Sequence, residues 1–189
     1  MTSQEAQELM QDAWSLRREA LEANPVRRHE LLEQARAELQ RAAEICRDQG
    51  ACVDYAQAIH MTAKIELDQD HVERARELWE RAIGILRKTD DALQLAHKVR
   101  HLGDLHERCG RSTDAEGCYA EALALYHEHD GAGSIDYANA VRRMAGLKER
   151  SGDPGEALAL WRETRELYDA VDLAPGVEEA ERRILRLTS

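Results

Sequence analysis

The sequence predicts an all-α protein, a right-handed α-α superhelix of four helical hairpins closed by a C-terminal capping helix. Three observations predict it. The chain is rich in Ala, Glu, Leu and Arg and has only three prolines, so helix is favoured nearly everywhere. Turn signals separate amphipathic segments whose apolar residues follow helical spacing, and nothing alternates with strand period. One pattern of small and large side chains recurs every 40–42 residues.

The elements follow in order within a single domain of residues 1–189. The first hairpin (1–49) opens on Thr2 and Glu5, which can form a capping box. Its second helix starts at Asn24-Pro25, an N-cap before a first-turn proline, and Gly50 lies just past its end. The second hairpin (51–89) turns at "DQDH" (68–71), and its Leu78, Ala82, Ile85 and Leu86 share one face. The third (91–130) turns at "CGRST" (109–113), where Gly110 suits a left-handed helix end. "HDGAGS" (129–134) connects it to the fourth (134–171). There Gly152 follows one helix, and Asp153 precedes Pro154 at the start of the next. The last segment (175–189) carries Val177, Ala180, Ile184 and Leu187 on one stripe, suited to covering the apolar face of the last hairpin.

The register rests on Ala35, Ala75, Ala115 and Ala157. Four residues after each comes a large side chain: Leu39, Trp79, Tyr119, Trp161. Seven after come Ala42, Ala82, Ala122 and Thr164. Twelve before the last three anchors lie Ala63, Gly103 and Ala145, all small. Small residues let two helices approach closely, and the ring fills the space beside them. Stacked copies then share a continuous core, so the aromatic ladder reads as packing rather than a ligand platform. The pentads "DYAQA" (54–58) and "DYANA" (136–140) are two copies of one helix start. Asp54 and Asp136 suit the positive end of a helix, and Tyr55 and Tyr137 suit packing on the preceding repeat.

"HLGDLHERCGRSTDAEGCYAEALALY" (101–126) resembles the tetratricopeptide repeat. Leu102-Gly103, Ala115, Tyr119 and Ala122 carry the resemblance, which extends to 141–168 and, more loosely, to 59–86. The period is longer than the usual 34 residues and resembles the kinesin light chain-type variant. In the first hairpin Glu19 and Glu22 fall where apolar residues are expected, which marks it as a modified cap. The resemblance implies a tetratricopeptide-like solenoid whose first helices line a concave groove for a protein or peptide.

The groove positions that the resemblance implies are Gln57, His60 and Lys64, then His97, Arg100, His101 and Asp104, then Asn139, Arg142 and Arg143. They are polar to basic in a chain of net charge −11. A groove of that kind favours an acidic or carboxylate-bearing segment, since arginine binds carboxylates bidentately. Ordinary solvated surface charge is the alternative. The acidic total disfavours nucleic acid as a partner. No stretch reaches the roughly 18 apolar residues of a membrane span, and the N-terminus lacks a secretory pattern. The expectation is a soluble, cytoplasmic protein, monomeric or weakly self-associating.

No phosphate loop or G-x-S-x-G occurs, so the sequence implies neither enzyme activity nor a cofactor. His97 and His101, four apart on one helix, raise a metal-binding or regulatory alternative, though no third ligand is identifiable. A self-associating scaffold is another alternative. The four cysteines form no CxxC pair and read as reduced thiols, with Cys109 and Cys118 able to approach across a hairpin.

Overall fold

The computed structural model describes residues 2–129 and 131–189. Met1 and Asp130, which bound the first and third hairpins as read from the sequence, lie outside the described residues. Among the described residues the structure has nine α-helices and no strand: α1 (Ser3–Glu22), α2 (Pro25–Asp48), α3 (Cys52–Asp68), α4 (Val72–Leu86), α5 (Ala92–Arg108), α6 (Ser112–Glu128), α7 (Ile135–Ser151), α8 (Pro154–Ala170) and α9 (Ala174–Thr188). None is long and apolar enough to cross a membrane.

The helix ends follow from local chemistry. Thr2 Oγ1 accepts from the Glu5 amide at 3.3 Å, Asn24 Oδ1 from Arg27 at 3.1 Å and Asp153 Oδ1 from Glu156 at 3.0 Å. Each satisfies a donor that the first helical turn leaves open. Three helices end on glycine at positive φ, at Gly50, Gly110 and Gly152. Asp70 holds the position equivalent to Gly110 and Gly152 and adopts the same region, at φ 64°. Aspartate tolerates that conformation better than most residues, so the turn survives without glycine.

The helices fall into two compact units, one ending at Asp91 and one spanning Ala92–Ser189. In the N-terminal unit α2 packs between α1 and α3, and α3 pairs with α4. Leu31, Leu32, Leu39 and Ile45 of α2 meet Ala6, Leu9, Met10 and Ala13 of α1 and Met61 and Ile65 of α3. Alanines on α1 make this close approach possible even though Glu19 and Glu22 break the expected apolar pattern. Tyr55 packs on the same cluster.

In the C-terminal unit α5/α6 and α7/α8 form hairpins, α6 meets α7, and α9 lies on α8. A Cβ on Gly103 would lie 2.7 Å from Cε1 of Tyr119, so only glycine allows the α5–α6 approach seen here. Tyr119 joins Ala115, Met144 and Leu147 in one cluster. Trp161 joins Ala145, Ala157 and Ala180, with Ile184 and Leu187 of α9 packed against them. Tyr137 meets Tyr126 of the preceding hairpin edge to face, ring centroids 6.4 Å apart. Trp79, Tyr119 and Trp161 are all at most 2% exposed, which makes the ladder core rather than a ligand platform.

Candidate functional site

In the N-terminal unit, Gln57, His60 and Lys64 lie on successive turns of α3. Gln57 and Lys64 are partly exposed, whereas His60 is buried and its Nδ1 accepts the indole N–H of Trp79 at 2.9 Å. That bond assigns the proton of a neutral His60 to Nε2. The Lys64 ammonium lies 5.3 Å from the ring centroid of Trp14, and the Arg17 guanidinium lies 4.9 Å from the same ring. Trp14 remains 38% exposed between these cations, an amphipathic contact point. Arg17 is itself held by two bonds to Asp68, at 2.6 and 3.1 Å.

In the C-terminal unit, the predicted residues of α5 and α7 converge. Asp104 is the hub: Arg100 Nη1 lies 3.3 Å away, His101 Nδ1 3.3 Å and Arg143 Nε 3.0 Å. The Tyr119 hydroxyl is shared between Asp104 at 2.9 Å and Glu107 at 2.8 Å. Asp136 receives His97 Nδ1 at 3.2 Å, with Arg100 Nη2 3.7 Å away. Arg100 is 6% exposed, so this residue holds the network together from inside rather than facing solvent. Asn139 Oδ1 accepts the Tyr168 hydroxyl at 2.8 Å.

His97 and His101 meet edge to face, centroids 4.8 Å apart. Arg100 Nη2 lies 3.2 Å from His101 Nε2 and places a cation beside it. Burial holds the His97 imidazole below its ordinary value, opposed by the hydrogen bond to Asp136. The same hydrogen bond, with Arg100 nearby, keeps the Asp136 carboxyl below the usual carboxylate range.

A cleft of about 80 Å³ opens beside this network, lined by Glu107 of α5, Arg142, Arg143, Gly146 and Arg150 of α7, Trp161 of α8, and Glu179 and Arg183 of α9. Arg142 Nη1 donates to Glu179 at 2.8 Å, and Arg150 pairs with Glu107. Arg183 Nη1 reaches Glu149 at 3.3 Å, and Glu149 also accepts the Trp161 indole N–H at 3.1 Å. Arg142 Nε is buried without a hydrogen-bond partner. What the cleft offers chemically is charge-assisted hydrogen bonding to an oxyanion.

Sequence reasoning found Arg142 and Arg143 but missed Glu107, Gly146, Glu179 and Arg183 as companions. Glu179 and Arg183 sit on the helix read only as a cap, and their polar faces carry no periodic signal. Glu107 could have been found, because it lies eight residues before an alanine anchor, as Glu149 does.

No family model matches the chain, and no curated protein sequence matches it. Solved structures do. The apo form of RapI is 14% identical, with a TM-score of 0.76 over 91% of this chain and 58% of its own. A signal transduction ATPase with numerous domains from Pyrococcus horikoshii, which has a tetratricopeptide repeat sensor, is 15% identical, with a TM-score of 0.74 over 95% of this chain and 27% of its own. The nearly identical TPR-like repeats of a kinesin light chain from Podosopora anserina are 14% identical, with a TM-score of 0.64 over 97% of this chain and 96% of theirs. The protein therefore spans little more than half of RapI. Its fold is that of a TPR-like helical repeat protein, all-α throughout the described residues.

Proposed function

We propose that the protein is a non-catalytic interaction module that captures a partner peptide or helix on the first helices of its repeats, and that it favours acidic segments. The observation that carries this reading is the gathering of Arg142, Arg143, Arg150 and Arg183 around one cleft in a chain of net charge −11. Arginine at such a site recognises carboxylates with two parallel bonds, and Asn139 lies on the same helix to contact a peptide backbone. In the N-terminal unit, Lys64 and Arg17 around the exposed Trp14 supply a second contact of the same character. TPR-like neighbours support a protein partner in general.

Selection from a random peptide library on the immobilised full chain tests the reading. The expected result is enrichment of Asp and Glu, lost when Arg142 and Arg143 are both replaced by Glu with helicity unchanged. Enrichment that is neutral in charge, or survives the double substitution, overturns it. Arg100 is left intact, because a glutamate there would be buried beside Asp104 and Asp136 and would unfold the unit.

A second reading is self-association as a scaffold. It is supported by Trp14, Leu21 and Val26 of the N-terminal hairpin, which stay exposed. Sedimentation across a concentration series decides it: a constant monomer mass removes the reading.

A further inference from the structure

We infer that the cleft between α7 and α9 binds the phosphoryl group of a phosphorylated side chain on the partner. This inference rests on the interaction reading above and names the chemistry of the group recognised. Charge balance is the first reason. The lining holds four guanidiniums against the carboxylates of Glu107 and Glu179. Arg143 and Arg183 are matched by Asp104 and Glu149 just outside the lining, so an incoming anion must compete with one carboxylate for each guanidinium. A phosphoryl group brings about −1.5 to −2 near neutral pH, whereas a carboxylate brings only one negative charge.

Hydrogen-bond supply is the second reason. A guanidinium has five N–H donors, and Arg142 gives Nη1 to Glu179 while its buried Nε has no partner. A buried donor left unpaired costs free energy, so this atom marks a place where an acceptor belongs. A phosphoryl group presents three strong acceptor oxygens to converging arginines.

Space is the third reason. The volume of about 80 Å³ is several times the roughly 10–15 Å³ that one buried water needs. Gly146 keeps it open: a Cβ there would lie 3.2 Å from Arg150 Nη1 and crowd that guanidinium. Glu107 and Glu179 oppose an anion electrostatically, but they also hold Arg150 and Arg142 in position before a ligand arrives.

The Trp161 indole N–H, bonded to the same Glu149 that Arg183 reaches, reports on the cleft. The full chain, ¹⁵N-labelled, is titrated at constant ionic strength with a blocked Gly-phosphoserine-Gly tripeptide, its Asp counterpart, and inorganic phosphate. The expected result is a saturable shift of the Trp161 indole signal with the phosphopeptide, about tenfold tighter than with the Asp peptide. Arg183→Ala and Gly146→Leu should each abolish the shift, with helicity by circular dichroism as the check on folding. Arg165→Ala, on the exposed side of α8, should leave it unchanged. No saturation, or equal affinity for the Asp peptide, overturns the inference. Binding of inorganic phosphate without the phosphopeptide overturns the peptide source. If acidic-peptide capture depends on Arg142 and Arg143 but the phosphopeptide does not bind, this inference falls and the interaction reading stands.

Discussion

Trp161 donates its indole N–H to Glu149 at 3.1 Å, so the largest side chain of the last repeat is buried with its one polar atom satisfied. Tyr119 and Glu107 hold the equivalent positions one repeat earlier and make the equivalent bond at 2.8 Å. In the second hairpin that acidic position is Leu67, and Trp79 turns instead to the buried His60. Each ring thus finds a partner, as a buried aromatic with a polar tip requires.

Truncating this ring removes both packing and a hydrogen bond. Trp161→Ala should lower stability by about 3–5 kcal/mol. Trp161→Phe should cost less, because it keeps most of the apolar volume. Urea unfolding followed by circular dichroism gives both values, and a Phe variant as unstable as the Ala variant would show that the hydrogen bond outweighs the packing.

Three glycines separate close packing from propensity. Gly84 and Gly117 lie in α4 and α6 with nothing within 4 Å of an added Cβ, so alanine should stabilise each by about 0.5–1 kcal/mol. Gly103→Ala meets the Tyr119 ring and should instead destabilise by about 1–3 kcal/mol. Thermal denaturation of the three variants checks the opposite signs.

Acid should weaken the C-terminal unit in two stages. Burial holds His97 below its ordinary value of about 6.5, so the unfolded chain takes up that proton first as pH falls. The corresponding stability is complete above about pH 6.5 and is lost as pH drops through the folded value. Asp136, held low by its bond from His97, adds a loss of the same sign below about pH 3.9 as pH falls through its own folded value. Urea midpoints measured between neutral and acidic pH should fall for the native chain, and His97→Gln should flatten the first stage.

Glu66 and Lys148 occupy equivalent positions with opposite charge, and each pairs backwards onto the preceding repeat. Glu66 lies 3.2 Å from Arg36 Nε, and Lys148 lies 2.7 Å from Glu116. Glu66 is buried, with His71 Nδ1 also 2.8 Å away, whereas Glu116 is half-buried. Arg36→Met should therefore lower stability by about 1–3 kcal/mol and Glu116→Met by less. Comparable losses in chemical denaturation would contradict the difference in burial.

The repeat was legible because its signal is local. Helical spacing places Ala75, Trp79 and Ala82 on one face, and the 40–42 residue period aligns them with Ala115, Tyr119, Ala122 and Ala157, Trp161. Apolar side chains have one favourable destination, so pattern alone identifies the buried ladder. Gly103 was legible as a small position for the same reason, and the Tyr119 ring now fills the space above it.

The polar residues depended on the tertiary structure. His60, Arg100 and Arg142 share one register position, yet His60 and Arg100 are buried while Arg142 borders the cleft. Long or amphipathic side chains can turn inward or outward, and only the partners present decide which. Asp104 and Asp136 draw Arg100 in, and Trp79 takes His60. Glu179 reaches Arg142 across 37 residues, a pairing with no trace in helical spacing. By itself the sequence determined the helices and their register, since backbone propensity and apolar burial act within one turn. Which charges face one another, and so what the cleft can hold, was decided only when separate helices were brought within reach of a hydrogen bond.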